Sequence, residues 1–184
     1  MSLLSYLKKK FGKKTPTTKV PSVKINASQV ELQIDIVVEE YLDQCLNLLN
    51  LNSNRSDWQK IFKAIAYAES SFNVAERYIE TKLGIDAVTG KQNTSEGLFQ
   101  MSYQDAKYHQ CEFDWSKDKN LSASDKDKTI FGIRRNTECA MKVLDKLVAK
   151  HGDYIFDSGH YWAVLKPSNK RHKVFLDKLH SYYV

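Results

Sequence analysis

Apolar side chains recur every three or four residues in several long segments of this chain, and this spacing places them on one face of an α-helix. The clearest segment begins at Asn136, which would cap the helix, and ends at Gly152, a residue type common just after helix C-termini. Another runs from Ser28 to Leu51 and opens with the Ser-x-x-Glu order of a capping box. A third begins near Asp57. Shorter helices are expected at residues 102–111, 158–165 and 168–182, so the pattern as a whole predicts a mainly α fold.

Helical regularity is weak between Ser70 and Gln100, where Gly, Asn, Thr and Ser are frequent. These residue types favour turns, so residues 85–95 are expected to form a loop or a small hairpin. We therefore expect an α+β fold at most, with a small β or loop element around residues 80–100.

Basic residues are concentrated at the start of the chain. Residues 1–24 hold seven of the 28 Lys and Arg and no acidic residue, which leaves 21 basic against 22 acidic side chains in the rest. A nearly neutral body argues against a nucleic-acid-binding domain, so no nucleic-acid partner is expected. The length of 184 residues suits one folded domain. We expect a basic arm and linker at residues 1–27 and a monomeric domain at residues 28–184.

The arm combines a short apolar stripe with lysines. Leu3, Leu4, Leu7 and Phe11 follow helical spacing, and residues 15–23 contain two prolines, as an extended linker does. The apolar run is too short for a cleavable secretion signal, so none is expected and the localisation stays open. The arm would either bind an anionic envelope surface or be a solvated extension.

Glu69 is the acidic residue in the least expected position. In the helix that begins near Asp57 it lies seven residues after Phe62 and four after Ile65, along the apolar stripe. Burial of a carboxyl group disfavours its charged form and raises its pKa, which is the property that a general acid needs near neutral pH. The alternative is that Glu69 belongs to an exposed last turn or pairs with Arg77.

Four short motifs occur in an order typical of one enzyme group. Residues 68–73 (Ala-Glu-Ser-Ser-Phe-Asn) and 97–101 (Gly-Leu-Phe-Gln-Met) resemble the signature of the soluble lytic transglycosylases and goose-type lysozymes. Residues 136–141 and 161–163 resemble two further segments of that group, so the resemblance spans roughly residues 55–165. It implies a lysozyme-like fold, a β-1,4-linked aminosugar substrate and Glu69 as the catalytic acid.

The resemblance also implies a set of residues that line the substrate cleft. A glycine there lets backbone approach a ligand, and a glutamine offers donors and an acceptor to sugar groups. Tyr161 would steady the Glu69 carboxyl or a substrate N-acetyl group, unless it is simply a core aromatic residue. The implied substrate-binding residues are Ser70, Ser95, Glu96, Gly97, Gln100 and Tyr161.

A second carboxylate is required by one of the two mechanisms that such enzymes use. An inverting hydrolase needs a base that activates water, and the candidates in order of preference are Asp86, Glu96 and Glu80. Asp86 has an alternative role as a turn aspartate ahead of Gly90. A lytic transglycosylase needs no second carboxylate, because Glu69 can act first as acid and then as base.

Cysteines and histidines indicate little further chemistry. Cys111 and Cys139 could form a disulfide if their segments pack together; otherwise all three cysteines are reduced thiols. The five histidines show no metal-binding spacing, so neither a metal nor another cofactor is expected.

These patterns together predict a glycosidase that cuts the β-1,4 bond between N-acetylmuramic acid and N-acetylglucosamine, with bacterial cell-wall glycan as its partner. Two alternatives are a non-catalytic lysozyme-like module that binds glycan or a protein partner, and a chitinase or chitosanase.

Overall fold

The structure is a computed structural model that describes residues 26–51, 54–152, 155 and 161–184. Residues 1–25 of the arm and linker predicted at 1–27 lie outside the described residues, as do residues 158–160 of one predicted helix, while Asn26 and Ala27 belong to the start of the first helix. No helix in the described part of the chain is both long and apolar enough to cross a bilayer.

Seven α-helices and two strands are found in the described residues. The helices are α1 (Ala27–Tyr41), α2 (Leu46–Leu51), α3 (Arg55–Ser70), α4 (Gln104–His109), α5 (Trp115–Asp118), α6 (Ile133–His151) and α7 (His172–His180). The strands are β1 (Arg77–Ile79) and β2 (Thr94–Glu96), and short 3-10 turns occupy Leu42–Gln44, Thr129–Phe131 and Ala163–Leu165. The prediction of a mainly α fold with a small β element is confirmed.

The core lies between the long helices. Helix α1 packs against α3 and α6, and α3 also packs against α7. The apolar faces predicted from the sequence meet here: Phe62 of α3 and Leu144 of α6 are fully buried. Burial of such side chains contributes about 1.5–3 kcal/mol each, so the mutual packing of these faces is the main stabilising term of the fold.

The two strands form an antiparallel hairpin that holds the residues around the candidate site. Arg77 pairs with Glu96, Tyr78 with Ser95, and Ile79 with Thr94. Successive side chains of a strand point to opposite faces, so Ser95 and Tyr78 lie on one face and Glu96 and Arg77 on the other.

The first predicted helix is interrupted. It begins at the cap Asn26 rather than Ser28, because Asn26 and Gln29 exchange both hydrogen bonds of a capping box. It ends at Tyr41, and the chain re-enters helix at α2, where the Asp145 carboxylate accepts hydrogen bonds from the first backbone N–H groups. The acceptor at the start of α2 therefore comes from the distant helix α6, and no local pattern signals it.

Two other predicted boundaries differ from those in the structure. Helix α6 begins at Ile133, so Asn136 lies inside the helix and does not cap it. In the described part of the helix predicted at 158–165, only the turn Ala163–Leu165 is helical, and it has 3-10 geometry.

Candidate active site

Glu69 lies at the C-terminal end of α3, one residue before the helix stops. Ser71 and Phe72 have positive φ angles of 53° and 62°, which turn the chain away directly after this residue. The Glu69 carboxyl is partly buried, and this desolvation raises its pKa to about 7. The guanidinium of Arg171, just before α7, lowers the pKa, and the charge of Glu80 raises it. The alternative partner Arg77 is instead bonded to Glu96.

Glu80 is the second carboxylate whose charge reaches Glu69. It follows β1, and its backbone N–H donates to the Asn93 carbonyl at 2.9 Å. Its side chain accepts a hydrogen bond of 2.8 Å from the Ser95 hydroxyl to Oε1. Ser95, predicted to contact substrate, therefore holds this carboxylate in place. Glu80 was the third choice for a second carboxylate, yet it is the acidic residue that the structure places near Glu69.

Tyr161 is a residue on which the charges of both carboxylates act. Burial and the neighbouring Asp105 raise the pKa of its hydroxyl well above the ordinary value, and the charges of Glu69 and Glu80 add to this effect. The hydroxyl donates to Asp105 Oδ2 at 2.7 Å. The same hydroxyl lies 3.5 Å from Met101 Sδ, and the shorter bond to Asp105 fixes its position.

Asp105 is a residue that sequence analysis missed. Its Oδ2 atom accepts from the backbone N–H of Ser102 at 2.7 Å as well as from Tyr161, and the residue is buried in α4. Arg171 was also missed. The order Ser102-x-x-Asp105 is a local signal for the bond between these two residues, but the bond of Asp105 to Tyr161 and the approach of Arg171 to Glu69 join positions far apart in the sequence.

Glu96 faces the opposite side of the hairpin from Ser95. Its carboxylate is 3% exposed and accepts from Arg77 Nε at 3.0 Å and from the buried Lys128 Nζ at 3.0 Å. A buried carboxylate with two cationic partners is not free to act as a base or to bind a sugar on the Glu69 side. Glu96 was predicted to bind substrate and was the second choice for the base, but in the structure its carboxylate forms an internal ion pair.

Gly97 is required by packing inside the protein. A Cβ atom at this position would lie 2.5 Å from Asn136 Nδ2, and the φ angle of the residue is +82°. Asn136 is fully buried; its Oδ1 accepts from Phe99 N at 2.8 Å and its Nδ2 donates to the Ile130 carbonyl at 2.9 Å. Gly97 and Asn136 thus join the turn after β2 to α6.

Ser70 and Gln100 direct their side-chain donors to the protein backbone. The buried Ser70 hydroxyl donates to the Ala66 carbonyl at 2.9 Å. Gln100 has a φ angle of 53°, and its Nε2 donates to the Gly97 carbonyl at 2.9 Å. These bonds shape the end of α3 and the turn after β2, and so position the residues around Glu69.

Asp86 has the structural role that was its alternative. It is 2% exposed, and its Oδ1 accepts from the backbone N–H groups of Val88 at 2.8 Å and Thr89 at 2.9 Å. Its Oδ2 accepts from Gln104 N at 3.0 Å, which ties the hairpin loop to α4. With both oxygens bonded to backbone amides and only 2% of the residue exposed, Asp86 is poorly placed to activate a water molecule, so the structure favours the turn role over the predicted role as catalytic base.

A disulfide joins Cys111 and Cys139, with their Cα atoms 5.1 Å apart. The disulfide attaches the segment just after α4 to α6. Helix α4 itself carries Asp105. Cys45 is a free thiol in the core, where burial raises its pKa to about 12. Among the described residues, no group of three or more His, Cys, Asp or Glu is arranged to hold a metal ion.

Comparisons with known proteins give a likeness of fold. No family model matches the chain, and no curated protein matches it. Among solved structures it is similar to "Bd0314 DslA wild-type form 2", with a TM-score of 0.60 and 18% identity over 85% of this chain and 90% of that one. Two mutants of that protein, each with one glutamate replaced by glutamine, give TM-scores of 0.61 at 18% identity and 0.59 at 19% identity. They cover 85% and 82% of this chain and 90% and 87% of their own. At this identity the match establishes that the chain shares the fold of these structures.

Proposed function

We propose that this protein is a peptidoglycan-cleaving glycosidase that cuts the β-1,4 bond between N-acetylmuramic acid and N-acetylglucosamine. The observation that carries the proposal is Glu69, a partly buried carboxyl whose pKa is raised to about 7 by burial and, to a smaller extent, by the charge of a second carboxylate, Glu80. Carboxyl pairs with different environments are the usual apparatus of glycosidic cleavage. The lysozyme-like motifs described above add independent support from the sequence.

Glu69 supplies the proton to the leaving glycosidic oxygen. With a pKa of about 7 it is mostly protonated in mildly acidic solution and about half protonated in neutral solution, whereas an ordinary glutamate would have lost its proton. Such a positioned acid contributes on the order of 10²–10⁴-fold to a rate. The nearby Arg171 keeps the pKa from rising further, so Glu69 can also give up its proton within the working pH range.

Glu80 is the group that would activate water or stabilise the developing positive charge on the sugar. Its position is set by Ser95 and by the backbone of Asn93, so the carboxylate is held rather than free to rotate away. If the reaction is instead an intramolecular transfer to the muramyl 6-hydroxyl, Glu69 acts as acid and then as base, and Glu80 stabilises charge only.

One detail of the similar structures supports the choice of Glu80. The two glutamates replaced in the DslA mutants are eleven positions apart in that chain. Glu69 and Glu80 are also eleven positions apart. We infer that this pair of acidic residues, and not Glu69 with Asp86, forms the reacting centre.

The test is digestion of purified sacculi by the full chain and by Glu69→Gln. We expect the wild type to release soluble muropeptides and the variant to release none while keeping the wild-type circular dichroism spectrum. Glu112→Gln, at an exposed position, serves as the control and should digest normally. Undiminished digestion by Glu69→Gln contradicts the proposal.

Product mass and substrate range decide the reaction type. Fragments with reducing ends indicate hydrolysis, and fragments lighter by one water indicate the 1,6-anhydro product of a transglycosylase. Release from chitin or chitosan without release from sacculi would favour a chitinase or chitosanase. Binding to sacculi in a pelleting assay without any release would favour a non-catalytic module.

A further inference from the structure

A cavity lies on the face of the hairpin opposite to Ser95, away from the candidate active site. It is an open cavity of about 180 Å³ between the Glu96 face of the hairpin and the segment that contains Trp115, Asp118 and Lys128. Neighbouring strand residues point to opposite faces, so Ser95 lies on the side of the candidate active site and Glu96 lies on the side of the cavity. The sheet therefore lies between the two sites. The candidate active site does not use this cavity.

Most charges in the cavity wall are already matched. Glu96 is bonded to Arg77 and Lys128, and Asp86 accepts from three backbone amides. Asp118 is the exception. It is 1% exposed, and its Oδ2 accepts from the Tyr103 hydroxyl at 2.9 Å and from the backbone N–H and hydroxyl of Thr129 at 2.8 and 2.6 Å. Its buried Oδ1 has no hydrogen-bond partner among the described residues. A buried acceptor without a partner is costly, so this atom favours a ligand that brings a donor.

The other wall groups restrict the chemistry of that ligand. Lys91 and Lys119 line the cavity from exposed positions and disfavour a cation, while the Asp118 carboxylate disfavours an anion. A neutral hydroxyl group can donate to Asp118 and accept from a lysine at the same time. Trp115 adds a partly buried aromatic ring, with Lys91 Nζ 5.1 Å from its centre. The volume is below the roughly 300–1,000 Å³ of sites for larger ligands, which limits the occupant to about one ring.

We propose that this cavity is a second carbohydrate-binding site, which takes a single neutral sugar ring. A sugar hydroxyl donates to Asp118 Oδ1, and the apolar face of the ring lies against Trp115. The site holds glycan without cutting it, so it does not depend on the proposed cleavage reaction.

The experiment is an NMR titration of the ¹⁵N-labelled full chain with three monosaccharides. N-acetylglucosamine is the neutral probe, glucosamine the cationic one and glucuronate the anionic one. We expect N-acetylglucosamine to shift the Trp115 indole N–H signal and the amides of Gln92 and Thr94, and the charged sugars to shift them less. Absence of these shifts, or larger shifts with either charged sugar, overturns the proposal.

Variants separate the cavity from unspecific binding. Trp115→Ala should weaken binding of N-acetylglucosamine on the order of tenfold, while Tyr108→Ala, an exposed aromatic outside the cavity wall, should leave it unchanged. Lys91→Met provides a second test at an exposed position and should also weaken binding. Equal affinity in all three variants contradicts the proposal.

A final variant keeps this inference apart from the proposed function. Glu69→Gln should bind N-acetylglucosamine in the cavity as the wild type does, because Glu69 is not in its wall. Loss of the Trp115 shift in that variant would show that the sugar binds at the Glu69 site instead. That result would overturn the assignment of a sugar to the cavity.

Discussion

The hydroxyl of Ser95 donates to Glu80 Oε1 at 2.8 Å and holds in place the carboxylate whose charge adds to the effect of burial in raising the pKa of Glu69. This contact gives a serine in the hairpin a defined task. It also links the two acidic residues through the pairing of β2 with β1, because Glu80 follows β1 and Ser95 lies in the centre of β2.

Substitutions at this contact should reduce turnover to different degrees. Ser95→Ala removes one hydrogen bond, worth about 0.5–1.5 kcal/mol, so kcat on muropeptide oligomers should fall a few-fold to about tenfold. Glu80→Gln removes the charge itself and should cost more. The control Ser116→Ala, on the exposed side of α5, should be neutral. Wild-type kcat in Glu80→Gln would remove Glu80 from the mechanism.

Activity should fall as the pH rises through about 7, because Glu69 must carry its proton to act as an acid. Arg171 lowers the pKa of Glu69, so Arg171→Gln should raise that pKa and move the falling limb to higher pH. Lys170→Gln removes the same charge from the neighbouring exposed position and should leave the limb in place. The measurement is the pH profile of kcat, and an unmoved limb in Arg171→Gln would show that its charge does not reach Glu69.

Glu69 should destabilise the folded protein at alkaline pH. Its pKa is raised from 4.5 to about 7 in the folded state, so the native state binds the proton more tightly and stability falls as the pH rises from about 4.5 to 7. Glu69→Gln should therefore increase the free energy of unfolding at pH 8, by up to about 3 kcal/mol, and change it little at pH 4. Urea unfolding at both pH values measures this difference. Equal effects at the two pH values would mean that the carboxyl is well solvated.

Loss of the Cys111–Cys139 disulfide should destabilise the fold. The two cysteines are 28 residues apart, and closing a loop of that length stabilises by about 3–4 kcal/mol in the chain-entropy description. The double variant Cys111→Ser/Cys139→Ser should show this loss in urea unfolding, and the wild type in reductant should match it. A wild type unaffected by reductant would indicate that the bond does not form in solution.

Gly97 and Gly84 offer a matched pair of substitutions. Both have positive φ angles, +82° and +70°, but a Cβ atom would lie 2.5 Å from Asn136 at Gly97 and would meet nothing within 4 Å at Gly84. Gly84→Ala should cost about 1 kcal/mol for the backbone conformation alone, and Gly97→Ala about 2–4 kcal/mol because overpacking is added. Equal losses of unfolding free energy would contradict the packing role of Gly97.

Helical periodicity located the long helices and, within α3, the acidic residue on the apolar face. This worked because a helix fixes the direction of each side chain from its sequence position alone. Glu69 could therefore be singled out before any tertiary contact was known.

The roles of the hairpin residues could not be predicted in the same way. Ser95 and Glu96 are adjacent in the sequence, yet one bonds Glu80 and the other is sealed in an ion pair with Lys128. Asp86 was ranked ahead of Glu80 because sequence distance does not show which carboxylate is bonded to backbone amides. The role of a polar side chain in an irregular segment depends on the residues that it contacts. These residues are distant in the sequence, so the local pattern does not identify them.

The hairpin strands are only three residues long. Ser95 and Glu96 are joined by one peptide unit, so a displacement on one face of the hairpin is passed to the other. Displacing Glu96 would pull on the adjoining peptide unit and carry Ser95 with it. A ligand bound in the cavity on the Glu96 face would then change the hydrogen bond between Ser95 and Glu80. The pKa of Glu69 would therefore depend on whether that cavity is occupied.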